Sequence, residues 1–179
     1  GARVLILDEP TAVLTPQESE SLYEIMQRMT KEKHSIIFIT HKMKEVMNLS
    51  HRITVLSRGK VMSTLHKDET NPEKLAELMI SNLEEIDSEK NNKLLQKSLF
   101  EKRVASISVS ERQKKRKLVL SLKNICANND LGHPALKGVS FDLFSGEILG
   151  MAGVSGNGQP ELTDVLSGLR ILTDGEYFF

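Results

Sequence analysis

The chain has 179 residues, of which 39% are hydrophobic and 27% are charged, a composition typical of folded globular proteins. Its 24 Lys and Arg balance 24 Asp and Glu, so no net charge steers it toward nucleic acid or an anionic membrane surface. The single cysteine, Cys126, excludes an internal disulfide and fits a reducing compartment, and no stretch approaches the roughly 20 apolar residues that span a bilayer.

The first part of the chain alternates strand and helix patterns. An apolar run at residues 4–7 predicts a fully buried strand. Thr15 and Glu18 have the spacing of a capping box, which predicts the start of a helix. The apolar face of that helix comprises Leu22, Ile25, Met26 and Met29. A second apolar run at residues 35–40 completes a βαβ unit with parallel strands.

Shorter elements follow. A helix is predicted over residues 42–49, and two strands at residues 53–56 and 61–65 flank Ser57-Arg58-Gly59-Lys60, a hairpin signal. Asn71-Pro72 then begins another helix.

Residues 84–117 differ in composition, because Glu, Lys, Asn and Ser dominate and apolar residues are scattered. The stretch ends in a basic run at residues 114–117, which nucleic acid or anionic headgroups could bind. No aromatic side chains are interleaved with these cations and the net charge of the chain is zero, so a solvated, charged linker is the favoured interpretation.

A new unit begins at residue 118. Two partly alternating runs are predicted to pair as antiparallel strands through Gly132-His133-Pro134, and a glycine-rich stretch joins a later strand to a helix. The predicted strands cover residues 118–122, 139–143, 147–152 and 176–179, with a helix at about 160–169 and a turn at 173–175.

Two carboxylates stand at the end of the first predicted strand. Asp8 and Glu9 follow its apolar run directly, at the end of the strand where α/β folds place ligand sites. One carboxylate there can hold Mg²⁺ through water, and the adjacent one can polarise an attacking water. An acidic strand end that simply enters a loop accounts for this pair equally well.

A histidine stands at the end of the second strand. Because the two strands are predicted to be parallel, His41 reaches the same sheet edge as Glu9. Histidine can bond a terminal phosphate and orient the attacking water. A lone histidine at a strand end is more often a cap or surface group, so its combination with Asp8 and Glu9 carries the argument.

This joint pattern resembles the ATPase subunits of ABC transporters. By this resemblance Asp8 is the Walker B aspartate, Glu9 the catalytic glutamate, residues 12–15 the D-loop and His41 the switch histidine. Thr15 stands where many members of the family carry Asp, so coupling through this D-loop is expected to differ.

The run Asp-Glu-Pro-Thr-Ala-Val-Leu-Thr-Pro-Gln-Glu, which begins at Asp8, is similar to the sugar and nucleoside importer branch of that family. Members of that branch carry two ATPase domains in one polypeptide. The resemblance implies an α/β fold made of partial P-loop NTPase domains, each with a mixed sheet and flanking helices. Residues 1–83 would be the C-terminal part of the first domain, 84–117 a charged linker and 118–179 the N-terminal part of the second.

The glycine-rich stretch has the spacing of a Walker A loop, whose backbone N–H groups curl around phosphates at a helix N-terminus. Gln159 stands where Lys would contact the phosphates, and Pro160 stands where Ser or Thr would hold Mg²⁺. The spacing alone fits a structural turn equally well, whereas the resemblance implies a degenerate phosphate loop that binds nucleotide weakly and does not support hydrolysis. The candidate cofactor-binding residues are Gly153, Ser155, Gly156, Asn157, Gly158 and Gln159.

The resemblance predicts part of the ATP-hydrolysing, energy-coupling subunit of an importer for a simple sugar or a nucleoside. Its cofactors would be ATP and Mg²⁺, with Glu9 and His41 catalytic and Asp8 holding the metal through water. The expected partners are the second ATPase domain of the same polypeptide, transmembrane permease subunits and, indirectly, a substrate-binding lipoprotein, at the cytoplasmic face of the cell membrane. No nucleic-acid partner is expected.

Parts of that machinery have no match in the sequence. No intact Walker A loop precedes Asp8, no Leu-Ser-Gly-Gly-Gln-like signature appears, and the second unit ends before a Walker B of its own. The chain is therefore interpreted as an internal fragment, inactive by itself and expected to fold poorly because its strand edges would be exposed. Two alternatives stay open: a soluble ABC-type ATPase that does not transport, and a truncated, non-catalytic interaction module.

Overall fold

A computed structural model describes residues 3–80, 116–154 and 156–179. We call residues 3–80 the first segment and residues 116–179 the second segment. The strands in these ranges are Val4–Asp8 (β1), Ser35–Thr40 (β2), Arg52–Ser57 (β3), Lys60–His66 (β4), Leu118–Asn128 (β5), Pro134–Phe144 (β6), Ile148–Ala152 (β7) and Asp174–Phe178 (β8). The helices are Pro16–Lys31 (α1), Met43–Leu49 (α2), Pro72–Ile80 (α3) and Gln159–Leu166 (α4), with a 3-10 helix at Lys67–Glu69.

The larger sheet has five strands in the order β1-β2-β7-β3-β4. Its first four strands run parallel, and β4 pairs with β3 antiparallel. A smaller antiparallel sheet has the order β6-β5-β8. The two sheets pack face to face over a shared apolar core, to which β2 contributes Ile37, β7 contributes Met151 and β5 contributes Leu120.

Several local predictions are confirmed. In α1 the Thr15 hydroxyl accepts a hydrogen bond from the backbone N–H of Glu18, whose carboxylate accepts one from the backbone N–H of Thr15, so the capping box is complete. Strands β1 and β2 are parallel, β3 and β4 form the hairpin, and β5 pairs antiparallel with β6. The hydrophobic periodicity and the turn residues were sufficient for these elements.

Three local predictions are wrong. Strand β1 is only half-buried, because it lies at the edge of the sheet and β2 is its one strand neighbour among the described residues. Strand β8 begins at Asp174, inside the predicted turn, because β5 extends far enough to pair Cys126 with Asp174. Helix α4 ends at Leu166 rather than Leu169.

The centre of the larger sheet comes from both segments. Strand β7 of the second segment lies between β2 and β3 of the first, and all five of its residues are buried. The division of the chain into parts of two ATPase domains stays a prediction, and most of the predicted linker lies outside the described residues. In the described ranges, no helix combines the length and the apolar composition that crossing a membrane requires.

Candidate functional site

Glu9 and His41 meet at the carboxyl edge of the larger sheet. The register pairs Asp8 of β1 with Ile39 of β2, and the backbone N–H of Glu9 donates to the Ile39 carbonyl at 2.9 Å. His41 follows β2 directly, so its ring Nδ1 lies 2.7 Å from Glu9 Oε1 and its backbone N–H donates to the same oxygen at 3.0 Å. The side chains of Glu9 and His41 stay 34% and 54% exposed, so water reaches both. The predicted proximity of Glu9 and His41 is confirmed.

Glu9 adopts a strained backbone conformation. Its φ is +45°, in the left-handed region that costs a residue with a Cβ about 1–2 kcal/mol. This backbone conformation turns the chain sharply at the end of β1 and brings the carboxylate of Glu9 toward β2. Backbone strain of this kind is common at functional sites.

The other Glu9 oxygen is held more loosely. The Thr40 hydroxyl donates to Glu9 Oε2 at 3.3 Å, a longer contact than either bond to Oε1. Because Oε1 already accepts two hydrogen bonds, Oε2 is the oxygen of Glu9 with the greater free capacity to accept a proton.

Asp8 contacts the second segment. The Thr163 hydroxyl in α4 lies 3.2 Å from Asp8 Oδ2 and 3.0 Å from the Gln159 carbonyl, so its single hydrogen is shared between these two acceptors. Partial burial raises the pKa of Asp8 above its ordinary value, an effect opposed by the Thr163 hydrogen bond and reinforced by the carboxylates of Glu9 and Asp164. Asp8 offers a hard oxygen ligand, and the described residues include no group of three or more His, Cys, Asp or Glu side chains arranged to hold a metal.

A buried polar network contacts Glu9 through the Thr40 hydroxyl. The Thr11 hydroxyl lies 2.7 Å from Oε1 and 2.8 Å from Oε2 of Glu45, and Lys42 Nζ donates to the Thr11 carbonyl at 3.0 Å. The Thr40 hydroxyl also lies 3.4 Å from Glu45 Oε2, so its single hydrogen is shared between Glu9 and Glu45. Burial, together with the nearby Glu45 carboxylate, raises the pKa of Tyr23 to about 12. The network ties the loop after β1 to the end of β2.

Sequence reasoning did not assign roles to this network. In the sequence, Thr11 stands within the run that begins at Asp8, and Glu45 stands within the short helix predicted over residues 42–49. A carboxylate on the buried side of α2, next to the lysine that precedes the helix, was the one available signal.

The glycine loop, residues 153–158, connects β7 to α4. Gly156 and Gly158 have φ values of +86° and +97°, which favour glycine. The Asn157 side chain accepts a hydrogen bond from the backbone N–H of Arg58 at 2.7 Å, and the Asn157 carbonyl accepts one from Gly59 at 3.0 Å. The loop is thus attached to the β3–β4 hairpin. Ser155, a predicted site residue, lies outside the described residues.

Gln159 fills the space behind the loop. Its side chain is buried, and its Nε2 donates to the Val154 carbonyl at 3.1 Å. A Cβ on Gly153 would lie 2.4 Å from Gln159 Nε2 and 2.8 Å from the Leu56 carbonyl. Gln159 Oε1 is buried and lacks a hydrogen-bond partner. The loop therefore packs against the side-chain amide of Gln159. Neither Gln159 nor Pro160 supplies the positive charge or the hydroxyl that a magnesium–triphosphate complex requires.

All the described site residues lie at one sheet edge. Because β7 runs parallel to β2, with Ala152 opposite Thr40, the glycine loop leaves the sheet on the side where His41 leaves it. The Thr163–Asp8 bond spans the two groups. Sequence reasoning had placed the acidic pair and the loop in different domains, and it did not anticipate this juxtaposition.

The chain is similar over nearly its whole length to ATP-binding proteins of importers. It is 39% identical over 173 residues to the glucose import ATP-binding protein TsgD13 of Haloferax volcanii, covering 97% of this chain and 28% of the relative. It is 37% identical to the nucleoside import ATP-binding protein NupA of Lactococcus lactis and 39% identical to the guanosine import ATP-binding protein NupO of Bacillus subtilis. Each of these two matches covers 98% of this chain, and 31% and 30% of the respective relatives. No family model and no solved structure matches the chain.

These similarities define the class of protein: the chain belongs to the ATP-binding proteins of ABC transporters. Its relatives place it in the branch that contains sugar and nucleoside importers. The chain spans about 30% of the length of the curated relatives that it matches.

Proposed function

We propose that this chain is part of the ATP-hydrolysing, energy-coupling subunit of an importer for a simple sugar or a nucleoside. The observation that carries the proposal is the contact of 2.7 Å between Glu9 and His41 at an exposed sheet edge. The similarity to import ATP-binding proteins over nearly the whole chain supports it.

Glu9 is proposed as the general base that activates water. Its Oε1 is held by two donors from His41, so the carboxylate is fixed in place while Oε2 remains able to take a proton. The partial exposure of the carboxylate lets a water molecule approach it.

His41 is proposed to contact the terminal phosphate of ATP. The short bond to the Glu9 carboxylate requires the ring to carry hydrogen on Nδ1, which leaves Nε2 an acceptor in the neutral ring. Donation from Nε2 to a phosphate oxygen therefore requires either the imidazolium form or release of Nδ1 from Glu9. In the neutral ring, a hydrogen bond from Nε2 to a phosphate oxygen is therefore coupled to loss of the bond between Nδ1 and Glu9.

Asp8 is proposed to hold Mg²⁺ through water, and the fit is partial. Mg²⁺ prefers oxygen ligands and keeps several waters, so a single carboxylate beside a hydroxyl is compatible with it. When bound, Mg²⁺ would neutralise charge on the phosphates. Asp8 and Thr163 are the described groups that would orient its water shell.

The glycine loop is proposed to be degenerate, since Gln159 and Pro160 do not fit the phosphates and the metal. We therefore expect the 179-residue chain to bind ATP weakly and not to hydrolyse it by itself. Hydrolysis would require the second ATPase domain of the same polypeptide, with permease subunits and a substrate-binding lipoprotein as further partners at the cytoplasmic face of the membrane.

A chimera tests the proposal. The stretch of the guanosine import ATP-binding protein NupO that matches this chain is replaced by the chain, and guanosine uptake by the Bacillus subtilis host is measured. Uptake is expected in the chimera. Glu9→Gln, which keeps the shape of the side chain and removes the base, is expected to reduce uptake at least about 100-fold while sparing ATP binding.

Glu24→Gln is the matched control, because Glu24 is an exposed glutamate in α1 of the same segment. Uptake that survives Glu9→Gln would contradict the role of Glu9. Purification of the natural gene product tests the transport assignment separately. Recovery of a multi-spanning membrane protein with it supports an importer, whereas ATPase activity without any such partner favours a non-transport ATPase.

A further inference from the structure

Glu45 of α2 is a buried carboxylate that shares a hydroxyl neighbour, Thr40, with Glu9. We propose that Glu45 is a positioning residue: it competes with Glu9 for the hydrogen of Thr40, and so sets how far Glu9 Oε2 is free to accept a proton from water. This role rests on the proposed function, in which Glu9 is the general base, and it adds a residue that controls that base.

The Thr40 hydroxyl stands between the two carboxylates. Thr40 is fully buried at the end of β2, and its Oγ1 accepts a hydrogen bond from the backbone N–H of Lys42 at 3.1 Å. The same oxygen lies 3.3 Å from Glu9 Oε2 and 3.4 Å from Glu45 Oε2. A hydroxyl carries one hydrogen, and the two distances are nearly equal. The charge on each carboxylate therefore decides which of them receives the hydrogen.

The neighbours of Glu45 determine how strongly it attracts that hydrogen. The Thr11 hydroxyl lies 2.7 Å from Oε1 and 2.8 Å from Oε2, and Lys42 Nζ lies 3.3 Å from Oε1. The Glu45 side chain is only 11% exposed, so water contributes little to its solvation. Electrostatic interactions are strong in such surroundings, which makes the balance between Glu45 and its cation Lys42 decisive for Thr40.

The position of the Thr40 hydrogen affects the oxygen of Glu9 that is free to react. Oε1 already accepts two hydrogen bonds from His41, so the proton from water must go to Oε2. A hydrogen bond from Thr40 to Oε2 stabilises the ionised carboxylate and occupies one of its lone pairs, and both effects weaken the base. When the hydrogen lies on Glu45 instead, Oε2 is free. Glu45 is therefore expected to influence proton transfer without contacting water or phosphate.

Carboxyl carbon-13 NMR of Glu9 tests the proposal on the 179-residue chain without nucleotide. The signal is assigned by its absence in Glu9→Gln. Glu45→Gln keeps the shape of the side chain and an acceptor for Thr11 but removes the charge, so the Thr40 hydrogen should move to Glu9 and shift its signal. The matched control is Glu24→Gln, at an exposed glutamate of α1, which should leave the signal in place.

A second variant should move the same signal in the opposite direction. Lys42→Met removes the cation beside Glu45 and thereby draws the Thr40 hydrogen toward Glu45 and away from Glu9. Lys42 Nζ also donates to the Thr11 carbonyl, and because the Lys42 side chain is partly exposed, water can replace that bond. Both shifts should be lost when Thr40→Val removes the hydroxyl.

Three outcomes would overturn the proposal. The first is an unchanged Glu9 signal in Glu45→Gln. The second is a shift in the same direction for Glu45→Gln and Lys42→Met, which would indicate a general disturbance of the structure. The third is a shift of equal size in the Thr40→Val background, which would mean that Glu45 acts by its charge alone. If Glu45→Gln fails to fold, the shift in Lys42→Met and its dependence on Thr40 still decide the proposal.

Hydrolysis by the purified chimeric transporter provides the functional test. Glu45→Gln should lower the maximal rate of ATP hydrolysis by roughly tenfold, the effect of one hydrogen bond to a charged group, and leave the ATP concentration at half-maximal rate unchanged. Thr40→Ser, which keeps a hydroxyl, should preserve this dependence on Glu45, and Thr40→Val should abolish it. A loss of apparent ATP affinity in place of maximal rate would contradict the positioning role.

The two tests separate the two proposals. A chimera that neither transports nor hydrolyses ATP would count against the proposed function, whereas the NMR experiment would still show whether Glu45 controls the hydrogen of Thr40.

Discussion

Two groups of residues lie at the carboxyl ends of the parallel strands. One is the acidic edge, formed by Asp8, Glu9 and His41, and the other is the glycine loop. They differ in how their polar groups are bonded. At the acidic edge, Glu9 and His41 meet while both remain open to solvent. Behind the glycine loop, the side-chain amide of Gln159, the first residue of α4, turns inward and donates to the Val154 carbonyl of the loop.

The contrast distinguishes a region whose polar side chains face solvent from one whose polar side chain packs inside the protein. Glu9 is held in a strained conformation that adds nothing to stability by itself, which is typical of a functional residue. The glycine loop instead closes around a buried amide and is attached to the neighbouring hairpin. A motif with the correct glycine spacing can therefore persist as a structural joint.

The largest expected effect tests whether the glycine loop is a packing element. Gly153→Ala should lower the free energy of unfolding by about 2–3 kcal/mol, because its Cβ would overlap Gln159 and the Leu56 carbonyl. Chemical denaturation measures the loss. Gly156→Ala is the control in the same loop: nothing lies within 4 Å of its Cβ, so it should lose only about 1 kcal/mol from its positive φ. Equal losses would contradict the packing role.

The next prediction attempts to convert the loop into a nucleotide site. Gln159→Lys with Pro160→Thr should strengthen binding of a fluorescent ATP analogue by about tenfold, because a charge-assisted phosphate contact is worth about 1.5–3 kcal/mol and part of that is lost in displacing the amide. Gln159→Met with Pro160→Thr controls for the loss of the amide alone. No gain in affinity with Lys would mean that more than these two side chains prevents binding.

A pH titration reports whether β7, which carries the glycine loop, is docked. Burial lowers the pKa of His51 below its ordinary value, with Arg116 and Lys67 adding to the effect and Glu147 opposing it. The folded state therefore binds fewer protons than the unfolded state below about pH 6.5. The contribution of neutral His51 to the free energy of unfolding should be fully present above that pH. It should fall as the pH is lowered toward the depressed pKa, by at most about 1.4 kcal/mol per pH unit.

Variants assign that slope. His51→Gln should flatten it, whereas His133→Gln should leave it intact, because His133 is exposed in the β5–β6 turn. A slope that persists in His51→Gln would show that another group is responsible.

The smallest expected effect concerns the acidic edge. Glu9→Gly should change the free energy of unfolding by no more than about 0.5 kcal/mol, because relief of the left-handed strain offsets the lost hydrogen bonds and the added flexibility of glycine. Thr15→Ala, which removes the cap of α1, should cost about 1 kcal/mol and serves as the reference. A loss at Glu9 that exceeds the loss at Thr15 would mean that Glu9 is primarily structural.

Much of the local structure was predictable from the sequence. The capping box at Thr15 and the hairpin around Gly59 are set by short-range backbone chemistry, which a sequence displays directly. The meeting of Glu9 and His41 was predictable as well, because parallel neighbours end at the same edge of a sheet.

The arrangement of the two segments was not predictable in the same way. The position of β7 between β2 and β3 depends on pairing across a long stretch of sequence, and no local pattern encodes it. The half-burial of β1 follows from its place at the sheet edge, whereas its apolar sequence resembles that of an interior strand. The identity of Gln159 was visible, but the turn of its amide into the loop depends on three-dimensional packing.

The late position of β7 in the chain also has a kinetic consequence. Strand β3 ends at Ser57 and β7 begins at Ile148, so at about 5–20 residues per second a ribosome adds the central strand several seconds after its neighbours. In the described arrangement, the order in which the three strands are synthesised therefore differs from their order in the sheet, and neither parallel pair with β7 can form until β7, the last of the three, has been made.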